Sequence, residues 1–171
     1  MALLKIRTYG DPVLRRKAEE IPEITPAIKK LVADMFDTMY DAPGIGLAAP
    51  QVGASVRLIV MDLWDGESSQ KEPYVLINPV ITSTSGLYND EEGCLSFPEL
   101  RIQVPRYQTL TLEALDLEGK KFSFENAEGL LARCIQHEMD HLEGVLFVDR
   151  LSAPQRILIN GKLKKMAKNS K

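Results

Sequence analysis

Both histidines of this 171-residue chain fall in one hexapeptide, Gln136-His137-Glu138-Met139-Asp140-His141, four residues apart with a glutamate directly after the first. On a helix this spacing puts the two imidazoles on one face, about 5–6 Å between Cβ atoms, so that both can reach one cation. The demand on the fold is severe. The segment must be helical, that face must look onto a sheltered site, and another element must reach across to complete the coordination. Two surface histidines on an amphipathic helix would need none of this, but a chance placement gives the spacing in only about one arrangement in a hundred.

His-Glu-x-x-His offers two neutral imidazole ligands and a carboxylate on the same turn, near enough to take a proton from metal-activated water without binding the metal. A third ligand is needed. The commonest extension, His-x-x-Gly-x-x-His, is matched as far as Gly144, but Phe147 stands where its last histidine would be. A distant glutamate stays open. Of the two cysteines, Cys134 shares the face of His137 but lies a further turn away, about 5 Å along the axis, and reads as a small apolar residue lining a pocket. Cys94 follows a glycine in Glu92-Gly93-Cys94-Leu95-Ser96, where a loop can carry a thiolate to a metal, and it is the expected third ligand. Two imidazoles and one thiolate leave a fourth position open, the arrangement of a catalytic rather than a structural centre, and imply hydrolysis. Thiolate lowers the net positive charge on the ion, so the Glu138 base matters more.

Along the chain, Gly10-Asp11-Pro12 marks a turn, with an irregular or weakly helical stretch after it. Thr25-Pro26 opens a helix carrying Ile28, Leu31, Val32, Met35, Met39 and Tyr40, which ends near Ala42-Pro43-Gly44. The run Gly44-Ile45-Gly46-Leu47-Ala48-Ala49-Pro50-Gln51 lets backbone approach a partner closely. It lacks both G-x-G-x-x-G and a Walker lysine and follows a helix, which argues against a nucleotide loop; a bare turn is the other reading, but its Gln reads as an amide placed for hydrogen bonding. Ser55–Leu63 reads as a buried strand, Asp65–Glu72 as a polar loop, and Tyr74–Ile81, with Asn78-Pro79, as an edge or bulged strand. Leu87–Glu92 leads into the cysteine loop, and Arg101–Pro105 resumes an extended pattern. Thr109–Leu117 and the return through Phe122 and Phe124 make a hairpin about Glu118-Gly119. Asn126 is expected to cap a helix from about Ala127 to Glu143, with Gly144 as its stop and Val145–Val148 as a short strand. Ser152-Ala153-Pro154-Gln155 has the form of a capping box and opens a final helix with Ile157, Leu158 and Leu163. The fold class is α+β: antiparallel and mixed sheet around a central metal-binding helix, with a C-terminal helix outside, in a single domain over 1–171.

This length buries a core without staples, so the metal need not be structural. A net charge of −3 offers no general attraction to nucleic acid or anionic membrane, and the N-terminal residues lack the apolar run of a signal peptide. A cytoplasmic protein with free thiols is expected. The basic tail Lys162–Lys171 reads first as a solvated helix end whose cations suit the helix dipole, and second as a contact for nucleic acid or the ribosome.

Three stretches, Gly44 to Gln51, Glu92 to Ser96 and Gln136 to His141, resemble in order and separation the three motifs of the peptide deformylases, and Gly10-Asp11-Pro12-Val13-Leu14 is similar to that family too. The resemblance covers nearly the whole chain. It implies removal of the formyl group from the N-terminal formylmethionine of new bacterial polypeptides, with release of formate. It implies that Cys94, His137 and His141 hold one Fe(II) ion, for which zinc, nickel or cobalt could substitute. It implies Glu138 as general base and acid, with the Gln51 amide and the Leu95 backbone N–H on the oxyanion. Ile45, Gly46 and Gly93 would present backbone to an extended peptide, and Leu130 and Cys134 would line a methionine pocket. Arg133 stands near that rim, with a solvated arginine as the equal alternative. The final helix is similar to that of the single-domain bacterial subclass. The competing readings are a zinc metallopeptidase with a distant third ligand and a zinc-stabilised binding module.

Overall fold

The computed structural model of the protein describes residues 2–63 and 71–170; residues 65–70 of the expected polar loop lie outside the described residues. Among the described residues three α-helices, α1 (Pro26–Asp41), α2 (Gly129–Leu142) and α3 (Ala153–Asn169), accompany seven strands. The strands are β1 (Gly46–Ala48), β2 (Leu58–Asp62), β3 (Pro73–Ser85), β4 (Tyr88–Cys94), β5 (Phe97–Arg106), β6 (Thr109–Leu115) and β7 (Lys121–Glu128). They form a five-stranded antiparallel sheet in the order β1-β2-β3-β6-β7 and a separate β4-β5 hairpin. The class is α+β, as expected, and the sheets are antiparallel.

Strand β2 shows why. All five of its residues are buried, because both faces of the sheet are covered: Ile59 and Met61 join the cluster of α2 (Ala132, Ile135, Met139, Leu142), while Leu58 and Val60 join that of α1 (Val32, Met35, Met39). A strand covered on both faces reads as a continuous apolar run rather than an alternation. A third cluster joins β5 (Phe97, Leu100, Ile102, Val104) to Phe147, Val148 and Leu163 of α3. Helix α1 starts as its sequence dictates, with the Thr25 hydroxyl accepting from Ile28 N–H and Pro26 at the first position. Ser152 and Gln155 form the capping box of α3.

Three expectations are corrected. Asn126 caps no helix. It lies in β7 with φ 52°, its N–H donating to Thr111 Oγ1 at 3.2 Å, and the strand runs on so that Ala127 and Glu128 pair with Leu110 and Thr109 before α2 begins at Gly129. Strand β3 is internal rather than an edge. Its bulge, the other half of that expectation, is present between Ile77 and Val80, where left-handed Asn78 (φ 50°) ties its amide to the Ile21 backbone at 2.8 Å each way and Pro79 needs no ladder donor. Val145–Val148 is not a strand. After Gly144 (φ 72°) the Val145 N–H returns to Asp140 O and the Asp149 carboxylate accepts from Leu146 N–H, so the segment winds into a 3₁₀ turn, Phe147–Arg150. Of the apolar residues on α3, Ile157 and Leu158 are exposed and Leu163 is buried.

Every residue of α2 from Ala132 to Leu142 is buried, including Arg133, Gln136, His137, Glu138, Asp140 and His141. Burying that many polar groups is costly unless each finds a partner, and the partners build the site.

Candidate metal centre

Helix α2 brings the His137 and His141 rings to 5.2 Å between centroids, and the β4-β5 link brings Cys94 to them. The ladder slips between Gly93 and Cys94, which turns the thiol inward to 3.4 Å from His141 Nε2. The donor atoms of Cys94, His137 and His141 all lie within 4.8 Å of one another. Tetrahedral ligands about 2.0–2.3 Å from a metal stand about 3.3–3.6 Å apart, so the sulfur–nitrogen spacing fits. The donor chemistry fits as well: one thiolate and two imidazoles suit a divalent transition metal. His141 Nδ1 is buried without a hydrogen-bond partner among the described residues. Burial, with His137 and Arg106 nearby, pushes the His141 pKa well below the usual range, so this ring is neutral and keeps a lone pair.

His137 is oriented by a residue that the sequence reading quoted only as part of a motif. Its Nδ1 faces Glu92 Oε1 at 2.8 Å, which leaves Nε2 as its ligand atom beside Cys94 and His141. Although burial opposes protonation, Cys94 and Glu92 hold this imidazole well above its ordinary basicity. Glu92 is buried between Arg106, which donates from Nε at 2.9 Å and Nη2 at 2.8 Å, and Arg133, which donates from Nη1. Burial alone would raise its pKa, but the bonds from Arg106 and His137 win and hold it at about 2. Arg106 also donates to Asp140 at 2.7 Å, and Arg150 closes the far end on Asp140 at 2.8 and 2.6 Å. One signal was available: Glu92 lies two residues before Cys94 on one strand, hence on the same face. Arg133 corrects the solvated alternative. It is buried, bonded to Glu92 and Val104 O, and stacked at 4.6 Å on the Tyr88 ring.

A cavity of about 500 Å³ opens beside these donors. Its walls include Ile45, Gly46, Gln51, Gly93, Cys94, Leu95, Leu130, Cys134, His137 and Glu138, every residue singled out for the site except His141. Leu130 is half exposed at the mouth, and Cys134 is buried one turn further in. Gly46 cannot be replaced lightly: a Cβ there would stand 2.8 Å from Cys134 Sγ and 2.9 Å from Glu138 Oε1. Glu138 Oε2 has no hydrogen-bond partner among the described residues, and burial pushes the carboxyl up to about 7 against the pull of His137 and Arg106. A carboxyl poised there can both take and return a proton near neutral pH. Burial, helped by Glu138, raises the Cys134 thiol, which leaves it protonated and apolar. The Gln51 amide is buried with Nε2 at 3.7 Å from Cys94 Sγ.

The family model described as Polypeptide deformylase matches residues 3–157. A peptide deformylase of Acinetobacter baumannii (strain SDF) is 51% identical over 169 residues, 98% of this chain and 94% of that protein. A crystal structure of a peptide deformylase from Legionella pneumophila superimposes with a TM-score of 0.88 at 46% identity, over 96% of this chain and 95% of that one. Another, from Synechococcus elongatus in complex with actinonin, superimposes with a TM-score of 0.86 at 45% identity, over 93% and 87%.

Proposed function

The chain belongs to the polypeptide deformylase family, and from that premise we infer that it is a metal-dependent amide hydrolase. It removes the formyl group from the N-terminal formylmethionine of new polypeptides and releases formate. The observation that carries this is the convergence of Cys94, His137 and His141 beside a Glu138 carboxyl pushed up to about 7, at the wall of a cavity. The zinc metallopeptidase reading is not favoured. It needed a distant third ligand, and a thiol already lies 3.4 Å from His141 Nε2.

In this reading Cys94, His137 and His141 hold the ion, Fe(II) in the cell, with zinc, nickel or cobalt able to replace it. When bound, the ion supplies Lewis acidity that makes water more acidic and draws off negative charge. Glu138 accepts the proton of the attacking water and hands it to the departing amine. Negative charge builds on the formyl oxygen, and the Gln51 Nε2–H and Leu95 N–H are the donors for it; such a donor is typically worth about 3–4 kcal/mol. Ile45, Gly46 and Gly93 offer backbone to the extended peptide, and the methionine side chain enters between Leu130 and Cys134. Residues 1–171 act as one catalytic domain in the cytoplasm. The exposed lysines of α3, Lys162, Lys164, Lys165 and Lys168, are a surface for the ribosome.

Incubation of anaerobically prepared enzyme with formyl-Met-Ala-Ser tests the reading. Formate release with the tripeptide backbone intact supports it; amino-acid release without formate overturns it.

A further inference from the structure

We propose that Ser96 is a positioning residue that locks the Gln51 amide, so that one Nε2–H is committed to the Ser96 hydroxyl and the other is left for the formyl oxygen. The proposal rests on the deformylase reading for the oxygen that the second N–H meets; the lock itself rests on geometry. Both side chains are buried, Gln51 at 1% exposure and Ser96 at 0%. The amide is held at both ends: Oε1 accepts from Ala48 N–H at 2.9 Å, and Nε2 donates to Ser96 Oγ at 3.2 Å. These contacts leave one orientation. Turning the amide over would set its NH₂ against the Ala48 N–H, donor facing donor. A primary amide nitrogen carries two hydrogens, and with one taken by Ser96 the second makes only a long, weak hydrogen bond to Cys94 Sγ at 3.7 Å, on the side of the donor trio, which a formyl oxygen can replace.

Gln51 is the one hydrogen-bond partner of the Ser96 hydroxyl among the described residues. The backbones of the two residues are laced together by the N-terminal segment, in which Arg7 N–H donates to Gln51 O at 2.7 Å and Tyr9 N–H to Ser96 O at 2.9 Å. Residue 96 is thereby fixed opposite the amide independently of its side chain, and deletion of the hydroxyl removes the lock without moving the scaffold. A donor aimed in advance at a developing charge stabilises it without reorganisation, whereas a free amide must first be ordered.

The test is a double-mutant cycle read as formate release, joined to side-chain amide NMR of the zinc-loaded protein. Removing an oxyanion donor costs about 10²–10³-fold, and loosening one costs less, so Ser96→Ala should lower kcat about ten-fold with KM within about two-fold. Because the effect acts through Gln51, adding Ser96→Ala to Gln51→Ala should cost nothing further. In the NMR arm, the Gln51 NH₂ signals, identified by their absence from Gln51→Ala, should show one proton whose exchange rises at least about ten-fold in Ser96→Ala, once its hydrogen bond is gone. Wild-type turnover in Ser96→Ala, a loss that multiplies with that of Gln51→Ala, or unchanged exchange would each overturn the proposal. Should the NMR lock be present and depend on Ser96 in a protein that releases no formate, the positioning stands and the functional reading falls.

Discussion

Glu138 has to be ionised to accept a proton, yet it is buried with one carboxylate oxygen unpartnered and its carboxyl pushed up to about 7. A raised pKa makes it a stronger base than an exposed glutamate, at the cost of being protonated below neutrality. The sign follows: kcat/KM should fall about ten-fold per pH unit on the acid side, through a midpoint at or below about 7, because a cation bound beside the carboxylate favours its ionised form. A pH profile with no acid limb, or a limb above pH 8, would remove Glu138 as the base. Glu138→Ala should retain the metal and lose about 10²–10⁴-fold in kcat. The two cysteines separate cleanly. Cys94 faces His141 at 3.4 Å, whereas the thiol of Cys134 lies 3.9 Å from Ile45 O. Cys94→Ser should therefore lower metal content or shift the metal preference, and Cys134→Ser should raise KM with the metal retained; metal analysis and kinetics on both variants decide, and reversed phenotypes would mean that the roles were exchanged.

Among the elements, α2 buries a polar sequence from Ala132 to Leu142, and the β4-β5 hairpin makes that tolerable by setting Glu92 and Arg106 against it. Glu92→Gln keeps the shape and removes the charge that orients His137 and balances Arg106 and Arg133. It should weaken metal affinity about 10–100-fold in competition with a chelator. Glu92 is also a stability group. Its folded pKa of about 2 lies below its ordinary 4.5, so the stabilisation is full above 4.5 and drains away as pH falls toward 2. Acid unfolding of the variant should accordingly depend less on pH in that window. How far the elements could be read in advance depended on how local their causes are. The start of α1 was legible because Thr25 and Pro26 act on the next three residues, and the end of α2 and the start of α3 announced themselves through Gly144 and Ser152 for the same reason. The start of α2 was not, because Asn126 is a good cap by propensity and was overruled by ladder pairing of Ala127 with Leu110, seventeen residues upstream. The site divides in the same way. Cys94, His137 and His141 carry chemistry in their residue types, whereas Arg106 acquires its role from strand pairing and Ser96 from the turn between β4 and β5, which no local pattern encodes, and Glu92 offered only its two-residue offset from Cys94.

At the level of the molecule, the question is whether the metal holds the fold together or is held by it. Three apolar clusters, one between the sheet and α2, one between the sheet and α1, and one joining β5 to α3, are packed without any of the three donors except Cys94, which lies at the margin of the third. The Glu92, Arg106 and Asp140 bonds orient His137 without an ion, and the trio is already within 4.8 Å. A site preformed by its scaffold adds stability only by mass action. At a free metal concentration of about 1,000 Kd that is about 4 kcal/mol, which for a chain of this size shifts the melting temperature by about 8–16 °C. Chelation should thus leave the far-UV circular dichroism at 25 °C unchanged, lower Tm by that amount, and be reversed by added metal. A zinc-stabilised binding module behaves otherwise, because its binding free energy is its folding free energy and the stripped chain unfolds. Loss of the helical signal at 25 °C on chelation, restored only with metal, would place this chain in that class and would mean that the buried polar network of α2 cannot stand without the ion.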